Sequence, residues 1–297
     1  MQTRIKLFFT LSMFLCSLGV YACDICSCGS SNSNSFANVL GGNYVGFSYN
    51  YLHFQSIQNY ANDAAPLAND HTHTLSLTTQ YQMTDRIQVN TLLPYKFNER
   101  INDAGVQNNR GLGDISVYGL IDLLPSADHH RLKFGMGVKL PTGSFDIENT
   151  NPNQISAIQL GTGSLDVLLP FQYHYTQSKW AVNLSAMYFV KGKNKDEFKF
   201  GNQTQINLSS TYVFSTGHDF SVAPIIGFSY DSFLAAERFG IVDKRTKGYM
   251  ANANLGIQLE TDHMILGIHT QQPIAQNLVQ KEVLFDKGIG VYTYWKF

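Results

Sequence analysis

"RLKFGMGVKLPTG", residues 131–143, puts Leu132, Phe134, Met136, Val138 and Leu140 on one face of an extended chain, and Lys133, Gly135, Gly137 and Lys139 on the other. Successive side chains of a strand point to opposite sides, so this is a strand with one oily face and one polar face. A soluble sheet hides its oily face against a second layer. From about Val45 onward the same split recurs in segment after segment, and no stretch with a 3.6-residue period supplies that layer.

Twelve such segments can be drawn: 44–55, 72–83, 86–97, 112–124, 131–141, 164–176, 179–191, 203–214, 218–230, 248–260, 263–272 and 286–297. Their connections alternate in length. "MTDR", "LPSADHH", "TQSK", "STGHD" and "ETDH" are tight turns, whereas 56–71, 98–111, 142–163, 231–247 and 273–285 are longer and polar. Short turns at one rim and long loops at the other are the layout of a transmembrane barrel, and an even strand count brings both chain ends to the short-turn, periplasmic rim. The fold expected is therefore all-β, an antiparallel up-and-down barrel of about twelve strands over residues 44–297.

Composition agrees. Charged residues make up 14% of the 297-residue chain, against about 25% in an ordinary soluble domain, while aromatics reach 13%. Mean hydropathy is slightly below zero, too polar for a helical membrane protein. A net charge of −1 with no basic block gives no footprint for nucleic acid.

On two further segments the split is equally clean. Trp180, Val182, Leu184, Ala186, Tyr188 and Val190 oppose Ala181, Asn183, Ser185, Met187, Phe189 and Lys191; Tyr249, Ala251, Ala253, Leu255, Ile257 and Leu259 oppose Asn252, Asn254, Gly256, Gln258 and Glu260. In hydrocarbon every backbone polar group must be paired, and a closed barrel is the sheet that leaves no edge. The oily face then meets lipid and the polar face lines a lumen. Tyr81, Tyr95, Phe97, Tyr175, Trp180, Tyr212, Phe214 and Trp295 fall near segment ends, where interfacial girdles lie. A soluble barrel or sandwich also alternates, but packs its apolar side inward and would need far more charge outside.

Arg4 and Lys6 precede the apolar run "LFFTLSMFLCSLGV" and then "YAC", the build of a secretory signal peptide over residues 1–22. No later stretch is long and apolar enough for a transmembrane helix. Export with a barrel implies the outer membrane of a Gram-negative bacterium, its lipids, and the barrel-assembly machinery as partners. The closing "GVYTYWKF" supplies an assembly signal through Tyr292, Tyr294, Trp295 and Phe297, with Ile289, Val291, Trp295 and Phe297 on one face.

Three stretches stand together in order: "RGLGDISVYG" at 110–119, "GVKLPTG" at 137–143 and "LGTGSLDVLLPFQYHY" at 160–175. Through Gly113 and Asp114, Pro141 to Gly143, and Gly161 to Asp166, the chain resembles the family of outer-membrane proteins named after the MetA pathway of phenol degradation. The resemblance implies a transporter-like barrel and the uptake of small, often hydrophobic compounds, and carries over no catalytic residue. The chain departs from it at "CDICSCGSSNSNS", within the segment 23–43 expected to lie in the periplasm.

That segment carries Cys23, Cys26 and Cys28. Cys23 after "VYA" fits both a loose lipobox, with Cys23 lipidated, and ordinary cleavage after Ala22. The thiols suit a soft metal at C-x-x-C-x-C spacing or a disulfide in an oxidising compartment. His71 and His73 in "DHTH" lie on one face, with His53 on the neighbouring segment, a second and weaker arrangement for a metal ion. No other cofactor is indicated.

The lumen-facing candidates are Lys96, Asp114, Asp122, Lys133, Lys139, Asp166, Lys191 and Glu260, with Lys296 at the end, interspersed with inward Leu52, Leu92, Leu120, Leu168 and Phe189. Mixed charge tunes a pore or locks it by pairing across the interior. An apolar share suits a small hydrophobic or aromatic solute. The expected function is a channel or transporter for such a molecule. The alternatives are a structural or binding barrel, metal-linked through the cysteines, and a barrel-wall hydrolase, for which neither G-x-S-x-G nor an evident nucleophile and base is present.

Overall fold

The computed structural model describes residues 42–297 apart from 61–62, 104, 125–128, 147–158 and 216–219. The signal peptide expected over residues 1–22 and the three cysteines of the segment 23–43 lie outside the described residues.

The main strands in chain order are β1 (Tyr44–Tyr60), β2 (Asp63–Gln82), β3 (Ile87–Asn102), β4 (Gly105–Leu112), β5 (Ile115–Asp122), β6 (His130–Leu140), β7 (Asp166–Gln177) and β8 (Trp180–Val190). After the short β9 (Phe198–Lys199) come β10 (Gln203–Tyr212), β11 (Phe214–Ser215), β12 (Phe220–Phe233), β13 (Ala236–Arg238), β14 (Ile241–Asp243), β15 (Gly248–Thr261), β16 (Met264–Asn277) and β17 (Val283–Lys296). Neighbours in sequence pair antiparallel around the sheet, β1 pairs with β17, and β10 pairs with β12. The sheet closes. Twelve staves result, the fourth being split: β5 pairs the first half of β3 and β4 the second, with Gly113 and Asp114 between them.

The start of β1 and the end of β17 meet at one rim, where Tyr44 lies opposite Lys296 and the Phe297 N–H donates to Asn43 O at 3.2 Å. The short turns share that rim, which is periplasmic by the rule for such barrels.

Faces follow the expected alternation. Phe134, Met136, Val138 and Leu140 are exposed on the outside of β6, while Lys139 is buried inside. Along β2, Thr72, Thr74, Ser76, Thr78 and Gln80 are buried inward and Leu75 and Tyr81 are exposed outward. The girdle takes shape at the short-turn rim: Trp180 stacks edge-on with Tyr212 (centroids 4.8 Å apart), Tyr212 with Phe214 (4.7 Å) and Phe47 with Trp295 (6.3 Å).

Two expected loops are strands instead. Residues 56–71 and 98–111 continue β1, β2, β3 and β4. β1 has 17 residues and β2 has 20, where crossing lipid takes about 9–11. At about 3.4 Å per residue this leaves ~20 Å or more of paired hairpin above the membrane. Outside lipid the outer face no longer has to be apolar, so the period-2 pattern fades while the backbone ladder continues. The loops 191–202 and 234–247 meet in a small second sheet ordered β14, β13, β9, with Phe198, Phe200 and Ala236 buried against Phe145.

Candidate functional site: the lumen and its charged rim

Where the strands approach the long-loop rim, four of the sequence candidates join in one line. Lys139, near the end of β6, lies across from Asp166, the first residue of β7. Its Nζ is 2.9 Å from Asp114 Oδ2 and 2.9 Å from Asp166 Oδ2, and Lys191 Nζ is 3.4 Å from the same Asp166 oxygen. The four side chains are nearly shut off from solvent. Buried ions persist only when their remaining hydrogen-bonding capacity is met. Asp114 accepts from Thr162 N (2.8 Å), Thr162 Oγ1 (2.8 Å) and Gly143 N (3.0 Å), and Asp166 Oδ1 from Ser164 Oγ (2.8 Å) and Gly192 N (3.0 Å).

This ladder draws the stretch 159–165 against the barrel wall. Asn98 Nδ2 donates to Gln159 O at 3.4 Å, and Leu160 and Thr162 are buried. Gly161 packs on Gly143 so closely that a Cβ would run into Gly143 O and Asp114 Oδ1. The glycine requirement here is steric clearance, not an unusual backbone angle.

The other charged candidates also face inward but stand apart. Asp122 accepts from Arg131 Nη1 at 3.2 Å, and Lys133 donates to Gln88 Oε1 at 2.6 Å. Glu260 pairs with Lys296 at the short-turn rim, and buried Lys96 lies along Gly113. Sequence reasoning missed a pair in the extended part of the barrel: Arg100 Nη1 and Asp70 Oδ1 are 3.4 Å apart, both almost fully buried, with Ser56 Oγ donating to Asp70 Oδ2 at 3.4 Å. Alternation continued through Lys96, Asn98 and Arg100 was the signal that could have found it.

Beside the ladder the lumen wall is apolar. Tyr118 and Leu120 of β5, Leu168 of β7 and Phe189 of β8 form a buried cluster, with Met187 packed against it. Leu52 belongs to a second cluster with Phe54, Phe233, Met250 and Phe285. Leu92 is half-buried on the lumen side. The same lumen face also carries amides and hydroxyls, Asn50, Thr74, Ser76, Asn90, Asn252 and Asn254, all buried.

The family model described as "Putative MetA-pathway of phenol degradation" matches residues 68–263, from β2 to the turn after β15, and so spans the whole ladder. The chain belongs to that family. In this member the three sequence stretches that carry the resemblance are the parts that meet at Asp114, Lys139 and Asp166. Among solved structures the chain is similar to an outer-membrane channel from Pseudomonas putida F1, with 17% identity over 87% of this chain and 96% of that one and a TM-score of 0.64. It is also similar to the β-domain of the Bordetella autotransporter BrkA, with 9% identity over 86% and 100% and a TM-score of 0.54. Among curated proteins none matches by sequence. These likenesses and the lipid-facing exterior make the family member an outer-membrane β-barrel.

His71 and His73 lie on its outer face, each bound by a tyrosine: Tyr51 Oη is 2.8 Å from His71 Nδ1 and Tyr49 Oη 2.7 Å from His73 Nδ1. His53 stacks on His71 at 4.7 Å between centroids and contacts Asp286 at 2.9 Å. Among the described residues no three His, Cys, Asp or Glu side chains are placed to hold a metal ion. At the C-terminus Trp295 and Phe297 are exposed, whereas Tyr292 and Tyr294 turn inward with Tyr44, Ile225 and Ile265.

Proposed function

We propose that this barrel carries a small, largely apolar or aromatic molecule across the outer membrane. The observation that supports it most is the apolar wall of Tyr118, Leu120, Leu168 and Phe189 set inside a lumen otherwise lined by paired charges and amides. A general porin has little use for such a wall, since hydrated ions gain nothing from it, whereas each buried apolar contact favours a hydrophobic solute by about 25 cal/mol per Å². The channel name of the Pseudomonas relative and the phenol reference in the family description point the same way. The reading is transport, not catalysis.

A second reading, a barrel that binds without passage, draws on the near-complete burial of the lumen face, with Asp70, Ser76 and Asn252 at 0% exposure. Planar-bilayer recording of the refolded barrel separates the two. Transport predicts discrete current steps that phenol or toluene interrupts. Silence from a folded barrel that still retains the aromatic solute favours binding alone.

A further inference from the structure

Of the lumen-facing carboxylates, five stand within ion-pair distance of a Lys or Arg: Asp70, Asp114, Asp122, Asp166 and Glu260. Asp231 on β12 is different. It is 2% exposed, and among the described residues no cation pairs with it. The register sets it between Gln205 of β10 and Met250 of β15, with Gln203 and Asn252 on the diagonals and Ser229 two residues before it. The side chains of Gln205 and Gln203 reach the carboxylate. Phe233 and Met250, part of the apolar cluster with Phe54 and Phe285, close the site from the long-loop side.

The surrounding oxygens are also short of donors. Gln203 Oε1 and Nε2 and Asn252 Oδ1 are buried with no hydrogen-bond partner, on residues at 0% exposure, and Asn252 Nδ2 is turned to Ser229 Oγ at 3.3 Å. A buried carboxylate with orphaned amide oxygens beside it presents oxygen ligands, and only neutral amide groups stand against it. As an anion such a group is costly to bury unless a cation or a proton enters.

We infer that Asp231, Gln203, Asn252 and Ser229 form a binding site for a small monovalent cation, Na⁺ or K⁺, in the lumen wall. Oxygen-only donors select hard cations. With one carboxylate among neutral ligands, a monovalent ion leaves the site neutral, whereas Ca²⁺ or Mg²⁺ would leave a positive charge buried under an apolar cap. The site does not depend on solute passage, so its test can succeed or fail whatever the conductance shows.

The test is thermal unfolding of the full refolded barrel in detergent at fixed ionic strength, with NaCl or KCl replacing tetramethylammonium chloride, whose cation is too large for the site. Wild type should show a midpoint that rises and saturates with Na⁺ or K⁺. Asp231→Asn should fold, be at least as stable without the small cation, and lose the rise; Asn252→Leu should weaken it. The inference is overturned by no cation-specific rise in wild type, by an equal rise in Asp231→Asn, or by a rise with CaCl₂ alone. It is equally overturned if acidification replaces the small cation and abolishes its effect at neutral pH, which would make the partner a proton.

Discussion

Lys139 Nζ stands 2.9 Å from Asp166 Oδ2, and the same ammonium is 2.9 Å from Asp114 Oδ2, so one lysine joins the start of β7 to the break between β4 and β5. Through Thr162 and Gly143, Asp114 passes that constraint to the loop that follows β6. The rim of the lumen is thus shaped by an ion ladder that reaches over four neighbouring staves, from the β4–β5 break to the end of β8, and the loop 159–165 is a dependent part of it.

Lys139→Met removes the cation that two buried carboxylates share. Breaking a buried pair from one side costs about 3–5 kcal/mol because a charge is left uncompensated. Urea unfolding of the refolded barrel should show this loss, and released 159–165 should become accessible to protease. A variant with unchanged stability and the same protection would mean that the ladder does not hold the loop.

Asp70 and Arg100 permit a double-mutant cycle. Arg100→Met alone leaves the Asp70 carboxylate buried without its partner and should destabilise by about 3–5 kcal/mol. Asp70→Asn with Arg100→Met should recover most of the loss. If the two single effects simply add, the 3.4 Å contact carries no coupling.

The barrel itself was legible in the sequence. The segment 179–191 expected from alternation is β8 (Trp180–Val190), and 131–141 is β6 (His130–Leu140). The lumen candidates all face inward because parity along a strand is a local property. What parity does not carry is distance between strands: that Asp114, Lys139, Asp166 and Lys191 meet in one ladder, while Asp122 faces Lys133 and Glu260 meets Lys296 away from it, depends on register and on the inward course of 159–165. Asp70, Arg100 and Asp231 were missed because they lie where lipid no longer enforces an apolar outer face, so the alternation that marks a strand weakens before the strand ends.

Leu168→Ala tests the apolar wall. Leu168 is 1% exposed and packs with Tyr118, Leu120 and Phe189. Truncating such a leucine costs about 2–5 kcal/mol in a well-packed core. Here it should also weaken current interruption by toluene while leaving the open-channel ion selectivity unaltered. A fall in stability with toluene interruption intact would show that the cluster is only structural filling.

Phe297→Asp separates assembly from stability. Phe297 is 70% exposed, with its N–H on Asn43 O, and it lies at the rim where a charge on the lipid side costs only about 0–1 kcal/mol. Refolding of the purified variant into detergent should therefore proceed almost as in wild type, with the same urea midpoint. Its yield in the outer membrane of cells should fall sharply if the terminal aromatic face of Trp295 and Phe297 is the assembly signal expected from the sequence. Tyr294→Phe is the control: Tyr294 is buried inside the lumen beside Tyr44, with ring centroids 5.0 Å apart. It should leave the cellular yield near wild type. Equal cellular yields for Phe297→Asp and wild type would remove the C-terminal residue from the recognition signal and leave Trp295 as the group to test.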